Sequence, residues 1–132
     1  SDVAAALVAL GATMRTTSRE LPIADLYRLP TDDDRSVTTL EPGELILELE
    51  VPQPEKSVYL KAMERQRWSF PIVGVAAART GDERTIALAG AAPIPWVLDS
   101  PEALGDATPL PGTAYKVEIA QALVRRALEA IA

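Results

Sequence analysis

The hydrophobic pattern changes period along the chain, and each change marks an expected element. The opening SDVAAALVALG predicts a short helix capped by Ser1 or Asp2, running to about Leu10 and stopped by Gly11. Thr13–Thr17 is polar and β-branched around Met14 and Arg15, which suits a short strand. Leu21–Leu26 reads as a short extended piece ending in a turn. Pro30–Ser36, PTDDDRS, reads as a solvated loop whose aspartates need no function. In EPGELILELEVP a Pro-Gly turn leads into strict alternation. Leu45, Leu47, Leu49 and Val51 share one face, and Glu48 and Glu50 share the wet one. Ile46 is apolar on the acidic side.

Ser57–Arg65 alternates too, with Val58, Leu60 and Ala62 opposite Tyr59, Lys61 and Met63. Ile72–Arg79 predicts a buried small-residue strand. Gly81-Asp82 turns the chain, and Thr85–Ala92 returns as the next strand. Together these predict an antiparallel meander, with Leu45–Val51 leading into it. The Gly and Ala of its last strands invite close approach by a helix. Pro93, Pro95 and Trp96 end the sheet pattern, Ser100-Pro101-Glu102 opens a short helical turn, and Gly105–Gly112 is loop. Thr113 is placed to cap a final helix over Ala114–Ile131, whose apolar stripe is Ala120, Leu123, Val124, Ala127, Leu128 and Ile131. The expected class is α+β: a small antiparallel meander sheet packed on one face by helices, including a long C-terminal one.

At 132 residues the chain suffices for one modest core. Aromatic residues make up only 5%, so that core is built from small and aliphatic side chains. The net charge of −6 argues against a general nucleic-acid surface, and Arg65, Arg67 and the Arg125–Arg126 pair are too few to reverse it. The sequence holds no Cys and no His, which excludes structural zinc sites, iron–sulfur ligation, thiol catalysis and Ser-His triads within this chain. Absence of Cys fits a cytoplasmic protein. No signal peptide and no apolar run of about 18 residues is seen. The chain opens on a helix without an initiator Met, so it reads as part of a longer polypeptide.

No nucleophile-and-base pair and no Gly-rich phosphate loop stands out. Lys61 is the residue of interest: a cation between Tyr59 and Met63 on a strand face. Residue pattern alone stops at a small α+β domain.

The order of segments adds to this. SDVAAALVALGATMRT, LPIADLYRLP, TTLEPGELILELEVP, SVYLKAMERQRWSFPIVGVAAA, IALAGAAPIPW and AYKVEIAQALVRRALEAI resemble, along nearly the whole chain, the C-terminal part of the FAD-binding (medium) subunit of molybdenum hydroxylases. This is the xanthine dehydrogenase and carbon monoxide dehydrogenase flavoprotein family. The resemblance implies that residues 1–39 are the tail of the second FAD-binding subdomain and residues 40–132 a C-terminal-like domain. It implies that the Gly-rich segments holding the FAD pyrophosphate lie outside these residues, and that the fragment alone is inactive and retains FAD poorly. It implies FAD contacts at Asp2, Ile46 and Lys61, with Ile46 toward the cofactor and the Leu face of its strand toward the helices. No catalytic residue and no metal ligand is implied here. The implied role is electron transfer: a molybdopterin-binding large subunit oxidises substrate, a small subunit passes electrons through 2Fe-2S clusters, and FAD hands them to an acceptor. One departure is plain. Leu104-Gly105-Asp106 runs almost directly into Ala107–Gly112, so roughly one helix of the family's helical layer is missing here. The alternative is a structural or subunit-interaction domain that binds no flavin, which the acidic composition and missing phosphate loop favour.

Overall fold

A computed structural model describes residues 1–65 and 69–132; Arg67, counted above among the basic residues, lies outside them. Helix α1 spans Asp2–Ala9. The Ser1 hydroxyl caps it by accepting from the Ala4 amide at 3.4 Å, and the chain leaves it through Gly11 at a φ of 66°. Strands β1 (Thr13–Thr16) and β2 (Glu20–Pro22) form a tight antiparallel pair, followed by a 3₁₀ turn at Ile23–Leu26.

Strand β3 spans Ile46–Glu50 and corrects the expected topology. It does not hydrogen-bond into the meander. It pairs antiparallel with β1, so a separate three-stranded sheet has the order β2-β1-β3. The expected placement of its Leu face against the helices also fails: Leu45, Leu47 and Leu49 are 63%, 56% and 41% exposed. The reason is geometric. Helix α1 lies over the larger sheet, and among the described residues no helix packs on β3.

The larger sheet is an antiparallel meander of β4 (Lys56–Ala62), β5 (Val73–Thr80), β6 (Glu83–Ala89) and β7 (Trp96–Leu98). The expected end of the sheet at Trp96 is corrected by β7, where Trp96, Val97 and Leu98 pair with Leu88, Ala87 and Ile86. A 3₁₀ helix at Pro101–Asp106 then leads toward α2, Tyr115–Ile131. Thr113 does not cap α2. Its hydroxyl donates to the Leu110 carbonyl at 2.9 Å, tying the preceding turn instead.

The α+β class with its long C-terminal helix is as expected. Alternation divides the core. Val73, Val75, Ala77, Ile86 and Leu88 pack against Ala120, Val124, Ala127 and Ile131 of α2. Ala76, Ala87 and Ala89 point the other way, onto Ala5, Val8 and Ala9 of α1 with Met14, Ile23 and Leu26 beside them. Helix α1 thus adds a second helical layer on the face opposite α2. Small residues on both partners let the α1 axis approach the sheet closely. Buried on both faces, β5 carries a nearly unbroken apolar run.

Candidate functional site

Lys61 sits on β4 directly opposite Gly74 of β5, on the face that meets α1. Its Nζ donates to Asp2 Oδ2 at 2.7 Å. Because Ser1 supplies the helix cap, the Asp2 carboxylate is free to turn toward the sheet. The two side chains are 21% and 35% exposed, so this is a half-buried ion pair. Burial pushes the Asp2 carboxyl up; the hydrogen bond from Lys61, the nearby Tyr59 hydroxyl and the Lys61 charge outweigh it, holding the group below its usual range.

Tyr59 flanks the pair. Its hydroxyl is buried without a hydrogen-bond partner, as is Asp2 Oδ1; the two lie close, but off hydrogen-bond geometry. Burial first, and the Asp2 carboxylate second, push the phenol well above its usual range, so it stays protonated as a donor. A side chain on Gly74 would collide with this ring: a Cβ there would stand 2.9 Å from Tyr59 Cζ and overlap the hydroxyl. Gly74 is the cradle that lets Tyr59 lie across the strand.

Ile46 belongs to the other sheet, where its setting differs from the alternation argument. Arg15 pairs with Glu48, but Thr16 pairs with Ile46, a register shift that leaves Leu47 as the extra residue. Ile46 therefore stands opposite Thr16, and parity with Glu48 and Glu50 does not carry across the bulge. Ile46 is 47% exposed.

Next to it lies a dense polar hub. Glu44 Oε1 accepts from Thr16 Oγ1 at 2.6 Å, from Ser18 Oγ at 2.9 Å and from Arg19 Nε at 2.9 Å. Glu44 Oε2 accepts from Arg19 Nη2 at 3.2 Å and from the Glu41 amide at 2.9 Å. The Glu44 side chain is 2% exposed. Arg19 first, then Thr16 and the Glu41 amide, hold its carboxyl down at about 2.

The structure brings Asp2 and Lys61 together, from 59 residues apart, and leaves Ile46 on a separate sheet. Sequence reasoning passed over the unpartnered Tyr59 hydroxyl, the Gly74 cradle and Glu44. A glycine inside an apolar strand was a usable signal for the second. Two shallow grooves border these features. One of about 310 Å³ runs between α1 and the 90–95 segment; the other, about 450 Å³, is lined by Arg19, Arg28, Ser36 and Thr39. Both arginines there are already paired, with Glu44 and Asp34. Among the described residues no cluster of His, Cys, Asp or Glu is placed for a metal.

The cluster is a partly exposed cation backed by a carboxylate and a protonated phenol. It forms neither a nucleophile nor a phosphate cradle. Charge and hydrogen-bonding capacity of this kind are chemically compatible with the polar edge of a cofactor such as a flavin.

The fold occurs in known redox enzymes. Over 98% of this chain and 55% of the other, it matches a chain of the Cu,Mo-CO dehydrogenase in its cyanide-inactivated form, with a TM-score of 0.71 and 24% identity. Quinoline 2-oxidoreductase from Pseudomonas putida 86 matches with a TM-score of 0.68 and 19% identity, over 98% of this chain and 55% of that one. No protein-family model matches. In sequence the chain is similar to the aldehyde oxidoreductase FAD-binding subunit PaoB of Escherichia coli (strain K12), at 34% identity over 111 residues, covering 78% of this chain. In sequence the chain is similar to part of an FAD-binding subunit of an oxidoreductase, and in fold to chains of the molybdenum-containing enzymes named above. It spans 35% of the length of that curated relative. No helix among the described residues is long and apolar enough to cross a membrane.

Proposed function

We propose that this chain is part of the electron-transferring flavin subunit of a molybdenum hydroxylase, with residues 1–39 closing the second FAD-binding subdomain and residues 40–132 forming the C-terminal-like domain. Its partners in that assembly are a molybdopterin-binding large subunit and a 2Fe-2S small subunit. The chemistry supplied by FAD when bound is electron transfer from the iron–sulfur clusters to an acceptor. The observation that carries the reading is the meeting of Asp2 and Lys61 at 2.7 Å in a half-buried ion pair. These are two of the positions that the family resemblance assigns to FAD.

The roles divide by chemistry. Asp2 Oδ1 and the Tyr59 hydroxyl are buried beside each other and steady the pair, while the Lys61 ammonium is the partly exposed group that a ligand would meet. Lys61 orients Asp2 and adds donor capacity at the same edge. Because Asp2 balances the Lys61 charge, the pair presents a directed dipole rather than a bare cation. Ile46 shields the ring edge as an exposed apolar side chain.

The same ion pair also ties α1 to β4, which is what a flavin-free structural module would require. One experiment separates the readings. In the intact subunit, Lys61→Met and Asp2→Asn are compared with wild type for bound flavin, read near ~450 nm, and for thermal unfolding. The flavin reading expects FAD content to fall in both variants at little cost in melting temperature. Full flavin content with lowered melting temperatures would assign the pair to structure alone.

A further inference from the structure

Strand β3 presents a puzzle of cost. All five of its residues are exposed, so its side chains contribute almost nothing to either core. Yet its entry is anchored by a carboxylate that is 2% exposed and receives five hydrogen bonds. Five donors on one carboxylate among exposed loop residues are more than packing requires at an edge strand.

The contacts show what the anchor holds. Glu44 joins the turn at Glu41 to the turn at Thr16–Arg19, and Arg19 extends the tie to the Thr39 carbonyl at 2.5 Å. The Thr17 amide then donates to the Leu45 carbonyl at 3.0 Å, and the Leu45 amide donates to Thr17 Oγ1 at 3.2 Å. Thr16 gives its hydroxyl proton to Glu44 at 2.6 Å while its backbone stands opposite Ile46, across the bulge. The hub and the bulge therefore share one residue, and Ile46 begins the strand two positions after Glu44.

We propose that Glu44, clamped by Arg19 and Thr16, is a positioning residue that fixes the bulge and thereby the placement of Ile46. That Ile46 is placed for the flavin rests on the function proposed above; that Glu44 places it does not. A bulge re-aims a side chain and is sensitive to the hydrogen bonds on either side. Glu44→Gln keeps the shape but swaps one acceptor oxygen for a donor facing Arg19 or Thr16.

The test has two arms. In the 132-residue chain, hydrogen exchange is followed at the Thr17 and Leu45 amides. Glu44→Gln should speed their exchange by about ten-fold or more while Val75 and Ala77 in β5 stay protected. Arg19→Lys, which keeps the charge but not the two-pronged contact, should fall between wild type and Glu44→Gln. Unchanged exchange at Thr17 and Leu45 would overturn the proposal, and equal acceleration throughout β5 would reduce Glu44 to a general stabiliser and overturn it too. In the intact subunit, FAD affinity is measured for Glu44→Gln, Ile46→Ala and the double variant. Each single change should weaken binding by about ten-fold, and the double should be no worse than the weaker single, because both act through one side chain. Losses that multiply would overturn action through Ile46. If Ile46→Ala leaves FAD affinity unchanged while the exchange arm succeeds, positioning by Glu44 is supported and the flavin role of Ile46 is what fails.

Discussion

At the scale of single residues, two charge pairings shape the regions discussed above. The Asp2–Lys61 pair is half-buried beside Tyr59, whereas the Glu44 carboxylate gathers five hydrogen bonds. Their acid responses follow from that difference, and the hub gives the sharper one. The carboxyl of Glu44 lies at about 2 in the folded chain against an ordinary 4.5. A group whose folded value is depressed contributes stability above its unfolded value and loses it as pH falls toward the folded one. The contribution of Glu44 is therefore complete near neutrality and fades between 4.5 and about 2. Thermal melts of wild type and Glu44→Gln across that window should show a gap that is widest at neutral pH and closes on acidification. A gap of constant size would mean that the ionised carboxylate is not what holds the hub.

At the scale of elements, helix α2 decides whether the larger sheet survives. Its inner positions are not equivalent. Ile131 is 0% exposed at the bottom of the core, whereas Leu128 is only partly buried at its margin. Truncating the first removes apolar contact and leaves a cavity enclosed by β strands; truncating the second leaves a notch that solvent can fill. Ile131→Ala should cost about 2–5 kcal/mol in urea unfolding, and Leu128→Ala less than about 2 kcal/mol. Equal losses would show that the C-terminal turn of α2 is frayed rather than packed. Helix α1 is the smaller partner. It has eight residues, and its alanines reach close to Ala76, Ala87 and Ala89 because neither side presents bulk. An isolated helix of that length is unstable in water, so the sheet holds α1 in place and with it Asp2.

At the scale of the whole molecule, the proposed flavin role rests on ring-side residues rather than on a phosphate-binding loop. The chain spans 35% of PaoB and 55% of the matched chains in solved structures, and its own glycines form no phosphate-binding loop. Backbone amides at such loops and helix starts supply much of the affinity for a dinucleotide pyrophosphate. Titrating FAD into the 132-residue chain by calorimetry should therefore give a dissociation constant weaker than about 1 μM, that is, a binding free energy less favourable than about −8 kcal/mol. Tighter binding would show that the ring-side residues are the main anchor.

What the sequence determined by itself are the features that one segment can carry. The alternation of Val58, Leu60 and Ala62 against Tyr59 and Lys61, the unbroken apolar run of β5 and the α2 stripe were all readable, because period and burial face belong to a single strand or helix. Lys61 was marked by its odd company on a strand face. Tertiary structure alone decided the rest. Alternation in β3 is equally compatible with either sheet, and its choice of β1 depends on where the loop of residues 27–45 returns the chain. Three residues between prolines and a 3₁₀ helix are too short to announce β7. Parity could not place Ile46, because one extra residue in a bulge resets the face and leaves no mark on the pattern. Nor could sequence choose between Ser1 and Asp2 as the cap: both can accept from the first-turn amides, and only the folded chain shows Ser1 capping and Asp2 paired with Lys61 at 2.7 Å. Hydrophobic period is local, whereas partner, register and charge pairing are set by distances that exist only once the whole chain has folded.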